Sequence, residues 1–154
     1  MTDTDRMAVW LREAMDAAER DAEAATQGAW LPKRASNGWL IDIEGAAASQ
    51  EYVVAGDGCG TPSCPGGGPI PNEADARFIA ANDPAAVLRR IAADRKILEE
   101  HPHTTRVVNP GCGMQSAGFG CENCHDWDGV PEGRGNCATI LALAEGWGWK
   151  DGDQ

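Results

Sequence analysis

Six cysteines constrain this chain of 154 residues more than any other feature, because four of them lie between positions 112 and 137 in a glycine-rich segment. The six are Cys59, Cys64, Cys112, Cys121, Cys124 and Cys137. No signal-peptide pattern precedes them, so we expect a reducing cytosol, where stable disulfides are rare. This glycine-rich segment has few apolar side chains with which to build a hydrophobic core. A bound metal ion would cross-link the segment and stabilise it instead. The cysteines therefore predict a metal site rather than a disulfide framework.

The strongest motif is Gly-Cys-Glu-Asn-Cys-His at positions 120–125, followed by a further cysteine at position 137. Two cysteines separated by two residues can place both thiolates on one ion in a tight turn. Cys121, Cys124 and Cys137 are therefore the predicted ligands, and Zn²⁺ is the predicted ion, in a structural role. A closed site needs a fourth ligand, for which the spacing leaves three candidates open: Cys112, His101 and His103.

Other cofactors match the motif less well. The Cys-Glu-Asn-Cys-His run at positions 121–125 fits the attachment pattern of haem c, but that chemistry normally needs export. No closely repeated cysteine run of the ferredoxin type is present. His125 directly follows Cys124, and such adjacency makes it hard for both side chains to reach one ion.

Cys59 and Cys64 lie in the glycine- and proline-rich stretch at positions 55–72. They are interpreted first as two loop thiols without a partner. Two alternatives stay open, a second metal site and a reversible disulfide. The glycine run beside them lacks the lysine and hydroxyl residue of a phosphate-binding P-loop, which argues against a nucleotide site.

The charge balance excludes some functions. With 24 acidic residues against 13 Lys and Arg, the net charge of −11 argues against direct binding to nucleic acid. No apolar run reaches the roughly 18–20 residues that a membrane span requires. We therefore expect a cytoplasmic protein that does not enter membranes.

Hydrophobic periodicity predicts an α+β fold. Apolar residues at three- and four-residue spacing indicate helices at positions 4–25, 72–81 and 84–100, and a last helix after a cap at Asn136. Short apolar runs at 29–31, 38–43 and 51–54 indicate a small antiparallel meander, on which the first helix would pack.

Four segments follow from these elements. They are an N-terminal helix with meander (1–55), a loop (56–72), a helical segment (73–101) and a cysteine-rich zinc segment with a terminal helix (102–149). Together they are expected to form one domain.

Three phrases carry a resemblance to a known family. They are Ala-Thr-Gln-Gly-Ala-Trp at 25–30, Ala-Arg-Phe-Ile-Ala-Ala-Asn-Asp-Pro-Ala-Ala-Val-Leu at 76–88, and Ala-Ala-Asp-Arg-Lys-Ile-Leu-Glu-Glu-His at 92–101. With the later cysteines and leucine-rich helix they resemble the domain-of-unknown-function family 6221 of actinobacteria and their phages. The first two phrases are also similar to the Ead-like phage proteins.

The resemblance implies that the histidine ligand is His101, in a site with three cysteines, and that Cys112 is an alternate or second-site ligand. Gln27 and Ala29 depart from the family, which usually has proline at both positions. No activity is known for the family. The resemblance therefore implies an origin in actinobacteria or their phages, but it implies no biochemical role.

Two functions compete at this point. The first is a non-enzymatic, zinc-stabilised accessory protein of phage type that binds a host or phage protein. The alternative is a hydrolase or deaminase-like enzyme with an open Cys/His zinc site. The deaminase signature is incomplete here, because no His-x-Glu precedes the cysteines and Gly120 stands where proline is expected. The accessory protein is therefore the favoured prediction.

Overall fold

The computed structural model describes residues 3–35, 38–44, 70–104, 107–108, 115–116, 120–121, 123–124 and 137–150. Its helices are α1 (Asp3–Ala24), α2 (Glu73–Ala80), α3 (Pro84–Glu100) and α4 (Ala138–Trp147). Its strands are β1 (Trp30–Ala35), β2 (Gly38–Ile43), β3 (His103–Thr104), β4 (Val107–Val108), β5 (Gln115–Ser116) and β6 (Gly120–Cys121). The predicted α+β class is confirmed. The predicted strand at 51–54 lies outside the described residues.

Local capping chemistry explains where the central helices begin. The side chain of Asn72 accepts a hydrogen bond from the backbone N–H of Asp75 at 2.8 Å, as an N-cap residue does. Asp83 caps α3 in the same way through the N–H of Ala86 at 2.6 Å, and Pro84 occupies the first helical position.

The last helix begins one residue later than predicted and ends in a left-handed glycine. Its N-cap is Cys137, one residue after the predicted cap, and it continues through Gly146 to Trp147. Gly148 then adopts a left-handed conformation with φ of 96°. The N–H groups of Gly148 and Trp149 reach the carbonyls of Glu145 and Ala144, which is the Schellman arrangement that ends a helix.

The chain divides into two compact units, here called the central unit (Ala18–Arg90) and the terminal unit (Met1–Ala17 with Ile91–Gln154). The four segments proposed from the sequence remain predictions. Among the described residues, no helix combines the length and apolar character needed to cross a membrane.

The central unit is built on the antiparallel hairpin of β1 and β2, in which Trp30 pairs with Ile43 and Ala35 with Gly38. Trp39 also exchanges two backbone hydrogen bonds with Ile70. Helix α2 supplies much of the core beneath this hairpin, a packing that the sequence did not indicate. The buried cluster contains Ile41, Ile70, Ala76 and Ala80, with Trp30, Trp39 and Ile79 packed against it.

Both the backbone conformation and the neighbouring side chain at position 28 require glycine. Its φ is +120°, and a Cβ built on it would lie 2.6 Å from Cγ2 of Ile43. Gly28→Ala should therefore lower the free energy of unfolding, by about 1–3 kcal/mol, because it adds both backbone strain and overpacking. Urea denaturation would measure the loss.

Gly146→Ala is the matched control, because a Cβ there would meet nothing within 4 Å and the residue is inside a helix. This control should stabilise the chain by up to about 1 kcal/mol. A Gly28→Ala variant as stable as the unaltered chain would contradict the constraint.

One ion pair on the hairpin gives a pH dependence. The hydrogen bond from Lys33 Nζ to Asp42, 2.9 Å long, lowers the pKa of the Asp42 carboxyl, and a further bond from the Ile43 N–H acts in the same direction. The stabilisation is thus present above the unfolded pKa of about 3.9 and is lost as the pH falls through the lower folded value.

We expect Asp42→Asn to reduce the melting temperature slightly at pH 7, because the pair is largely solvated, and to make no difference below the folded pKa. Thermal melts of both proteins across this pH range would measure it. A difference that persists in strong acid would show that the carboxylate is not its cause.

In the terminal unit, side-chain hydrogen bonds and a contact between two tryptophan rings connect α1, α3 and the α4 region. Arg95 of α3 bonds Asp16 of α1 at 2.6 Å, and the indole of Trp147 on α4 donates to Asp94 of α3 at 2.8 Å. The ring of Trp10 meets that of Trp149 edge-on, with centroids 5.2 Å apart. The buried side chains of this unit include Met7, Leu11, Met15, Ile91, Leu98, Ile140 and Ala144.

Candidate metal centre

Four side chains from separate parts of the terminal unit meet at one point. His101 directly follows α3, Cys121 ends β6, Cys124 lies three residues further on, and Cys137 is the N-cap of α4. Their ligand atoms all lie within 4.8 Å of one another. The structure therefore contains a His/Cys cluster that can hold a metal ion.

The distances within the cluster fit a tetrahedral ion. Nδ1 of His101 lies 3.5 Å from Sγ of Cys121, 3.2 Å from Sγ of Cys124 and 3.6 Å from Sγ of Cys137. Zinc bonds of about 2.3 Å to sulfur and 2.0–2.1 Å to nitrogen, at tetrahedral angles, separate nitrogen from sulfur by about 3.5 Å. The three separations are thus close to those of a Cys₃His zinc site.

Burial divides the cluster into two halves. Cys121 and Cys137 are each only 2% exposed, whereas His101 and Cys124 are half-buried. All three thiols are free, with no disulfide between them. Three free thiols around one imidazole nitrogen form a set of donor atoms that a divalent cation could bind.

The pKa of the Cys124 thiol reflects its burial among the other cluster residues. Burial, and after it the neighbouring thiols of Cys137 and Cys121, raise the pKa of this thiol to about 11, against a smaller opposite effect of Thr139. Without a cation the thiol stays protonated at neutral pH. A bound metal ion reverses this balance and deprotonates a coordinating thiol.

Hydrogen bonds connect the ligand segments to the fold. Strands β3 and β6 are antiparallel, with His103 opposite Cys121. The side-chain amide of Asn123 donates to the carbonyl of Glu100, the residue before His101. The hydroxyl of Thr139, in the first turn of α4, lies 3.9 Å from Sγ of Cys124.

The structure brings together four of the candidate ligands from the sequence, and the side chains of the other candidates are not among those described. Of the three candidates for the fourth position, His101 lies among the sulfur atoms. His103 is in β3, and its side chain is not described. Cys112 and the pair Cys59 and Cys64 lie outside the described residues, as does His125.

Asn123 and Thr139 were missed from the sequence. The signal available for Asn123 was its place inside the Cys-x-x-Cys turn, where its amide can reach a neighbouring helix end. Thr139 carried the weaker signal of following Cys137 by two residues at the start of a helix.

Comparison with known proteins assigns the chain to a family whose function is unknown. A family model described as "Family of unknown function (DUF6221)" matches residues 4–148, so the chain belongs to that family. No curated protein and no solved structure matches the chain.

Proposed function

We propose that this member of the DUF6221 family is a small acidic accessory protein that holds one structural Zn²⁺ ion and acts by binding another protein. The observation that carries the zinc site is the position of His101 Nδ1, 3.2–3.6 Å from three thiol sulfurs. Soft thiolate ligands with one imidazole are a donor set typical of zinc in proteins.

The number of ligands supports a structural role. His101, Cys121, Cys124 and Cys137 would fill all four positions of a tetrahedral ion. A catalytic zinc keeps one position for water or substrate, so the hydrolase or deaminase-like alternative requires one of these four to stay unbound. Two of the sulfurs are also almost completely buried, which limits the approach of a substrate.

Binding to another protein is supported by charge. The net charge of −11 favours a partner with a basic surface, because complementary potentials steer association. Helix α1 exposes part of this charge on Glu13, Asp21 and Glu23. The phage-type setting, and with it action in the host cytoplasm, rests on the resemblance of the shared phrases to phage proteins.

The zinc site is tested by native and denaturing mass spectrometry of the full chain, combined with thiol counting. We expect one zinc ion per chain, released on denaturation, with six titratable thiols recovered from the six cysteines. Two ions would place Cys59 and Cys64 in a second site. No metal, with a mass lower by about two hydrogens per bridge, would indicate disulfides and overturn the proposal.

The closed character of the site is tested by X-ray absorption of the zinc-loaded protein. A first shell of three sulfurs and one nitrogen without a water oxygen is expected. A bound water in place of one of these ligands would support the enzyme instead. A partner bound through acidic groups should dissociate as salt rises, since screening weakens such contacts.

A further inference from the structure

The hydrogen bond between Asn123 and Glu100 connects two of the ligand-bearing segments. Asn123 lies between Cys121 and Cys124, and Glu100 is both the last residue of α3 and the residue before His101. The bond therefore connects residues 121–124, here called the cysteine turn, to the backbone next to His101.

The physical reason for this bond lies in the end of α3. The last carbonyls of a helix have no intrahelical partner, and a side-chain donor can satisfy one of them. The amide of Asn123 supplies that donor to the Glu100 carbonyl. The donor comes from a residue 23 positions later in the chain, so the contact fixes tertiary and not merely local structure.

His101 lies in a short connection between two regular elements. His101 follows α3 immediately, and the pairing of β3 with β6 begins only at His103. Its ring is half-buried, so packing encloses it only in part. Among the described residues, the Asn123 bond to Glu100 is the side-chain contact that joins the backbone next to His101 to the cysteine turn.

We propose that Asn123 is a positioning residue that places His101 as the fourth ligand of the zinc site. The inference rests on the proposed zinc site and deepens it. Asn123 does not touch the ion itself; it holds the end of α3 where Nδ1 can face the three sulfurs. Groups that orient metal ligands in this way commonly change metal affinity by 10–100-fold when they are removed.

A double-mutant cycle separates this role from a general loosening of the site. Zinc affinity is measured by competition with a chromophoric chelator for the full chain, for Asn123→Ala, for His101→Ala and for the double variant. We expect Asn123→Ala to weaken zinc binding by about 10–100-fold in the unaltered background and by less than about threefold when His101 is already absent.

Asn82→Ala is the matched control. The amide of Asn82 also donates to a carbonyl at the end of a helix, that of Phe78 at 2.7 Å, but in the central unit. It should leave zinc affinity unchanged. Asn123→Asp keeps the shape of the side chain and loses the N–H donor, so it should weaken zinc binding at least as much as Asn123→Ala.

Cobalt substitution provides a readout that stability alone does not move. In the Co²⁺-loaded protein, the visible spectrum of Asn123→Ala should shift toward that of His101→Ala, whereas Asn82→Ala should keep the spectrum of the unaltered chain. Equal losses of zinc affinity in both backgrounds, or full affinity in Asn123→Asp, would overturn the role of Asn123. Absence of zinc from the unaltered chain would instead overturn the proposed function.

Discussion

If the cluster binds zinc as proposed, Cys121→Ser is expected to abolish zinc binding and to unfold much of the terminal unit. Cys121 is 2% exposed and is one of the four cluster residues, so a serine hydroxyl there leaves a weak ligand in a buried place. Structural zinc contributes about 10–16 kcal/mol in zinc-finger peptides, as much as the entire stability of about 5–15 kcal/mol of a typical protein. Zinc content, circular dichroism and hydrogen exchange of α4 would measure the effect.

The matched controls are serine substitutions of two cysteines that lie outside the described residues. Cys112→Ser and Cys59→Ser should keep one zinc ion and the melting temperature of the unaltered chain. Loss of zinc from Cys112→Ser would make that cysteine a ligand. A Cys121→Ser variant with full zinc content and unchanged stability would rule out the structural site.

Leu11→Ala is expected to have the second largest effect, a loss of about 2–5 kcal/mol in the free energy of unfolding. Leu11 on α1 has no exposed surface, so truncation removes buried apolar area and leaves a cavity. Urea denaturation at saturating zinc would measure the loss separately from metal binding.

Val9→Ala on the same helix is the control, because Val9 is 47% exposed. Its cost should stay within about 0.5 kcal/mol, as for most surface substitutions. Equal costs for the two variants would mean that the Leu11 side of α1 is not a core face in solution.

Local chemistry in the sequence was sufficient to place most of the helices. Asp83 is a capping residue, Pro84 is a favourable first residue, and the start and end of α3 agree with the prediction. Asn72, predicted as the first residue of its helix, is the N-cap of α2. The apolar spacing that predicted the first helix also implied a buried face, and the structure buries Met7, Leu11 and Met15 on α1. These signals operate over a few residues and need no knowledge of the rest of the fold.

The parts that the sequence did not indicate depend on contacts between distant residues. Spacing alone left three candidates for the fourth ligand; the family resemblance implied His101, and the end of α3 next to the cysteine turn brings its ring among the sulfurs. The position of α2 against the hairpin, and the amide of Asn123 on α3, are likewise contacts between distant segments. Periodicity assigns a buried face to a helix but does not identify what covers it.

The three thiols of the cluster have an electrophoretic consequence. Thiols bind a metal ion as thiolates, so zinc coordination by the three cysteines would add two positive charges and release three protons. Uptake of a divalent cation would thus make an already acidic chain more negative by one unit. The zinc-loaded protein should therefore migrate faster toward the anode in a native gel, and elute later from an anion exchanger, than the metal-free protein of the same shape.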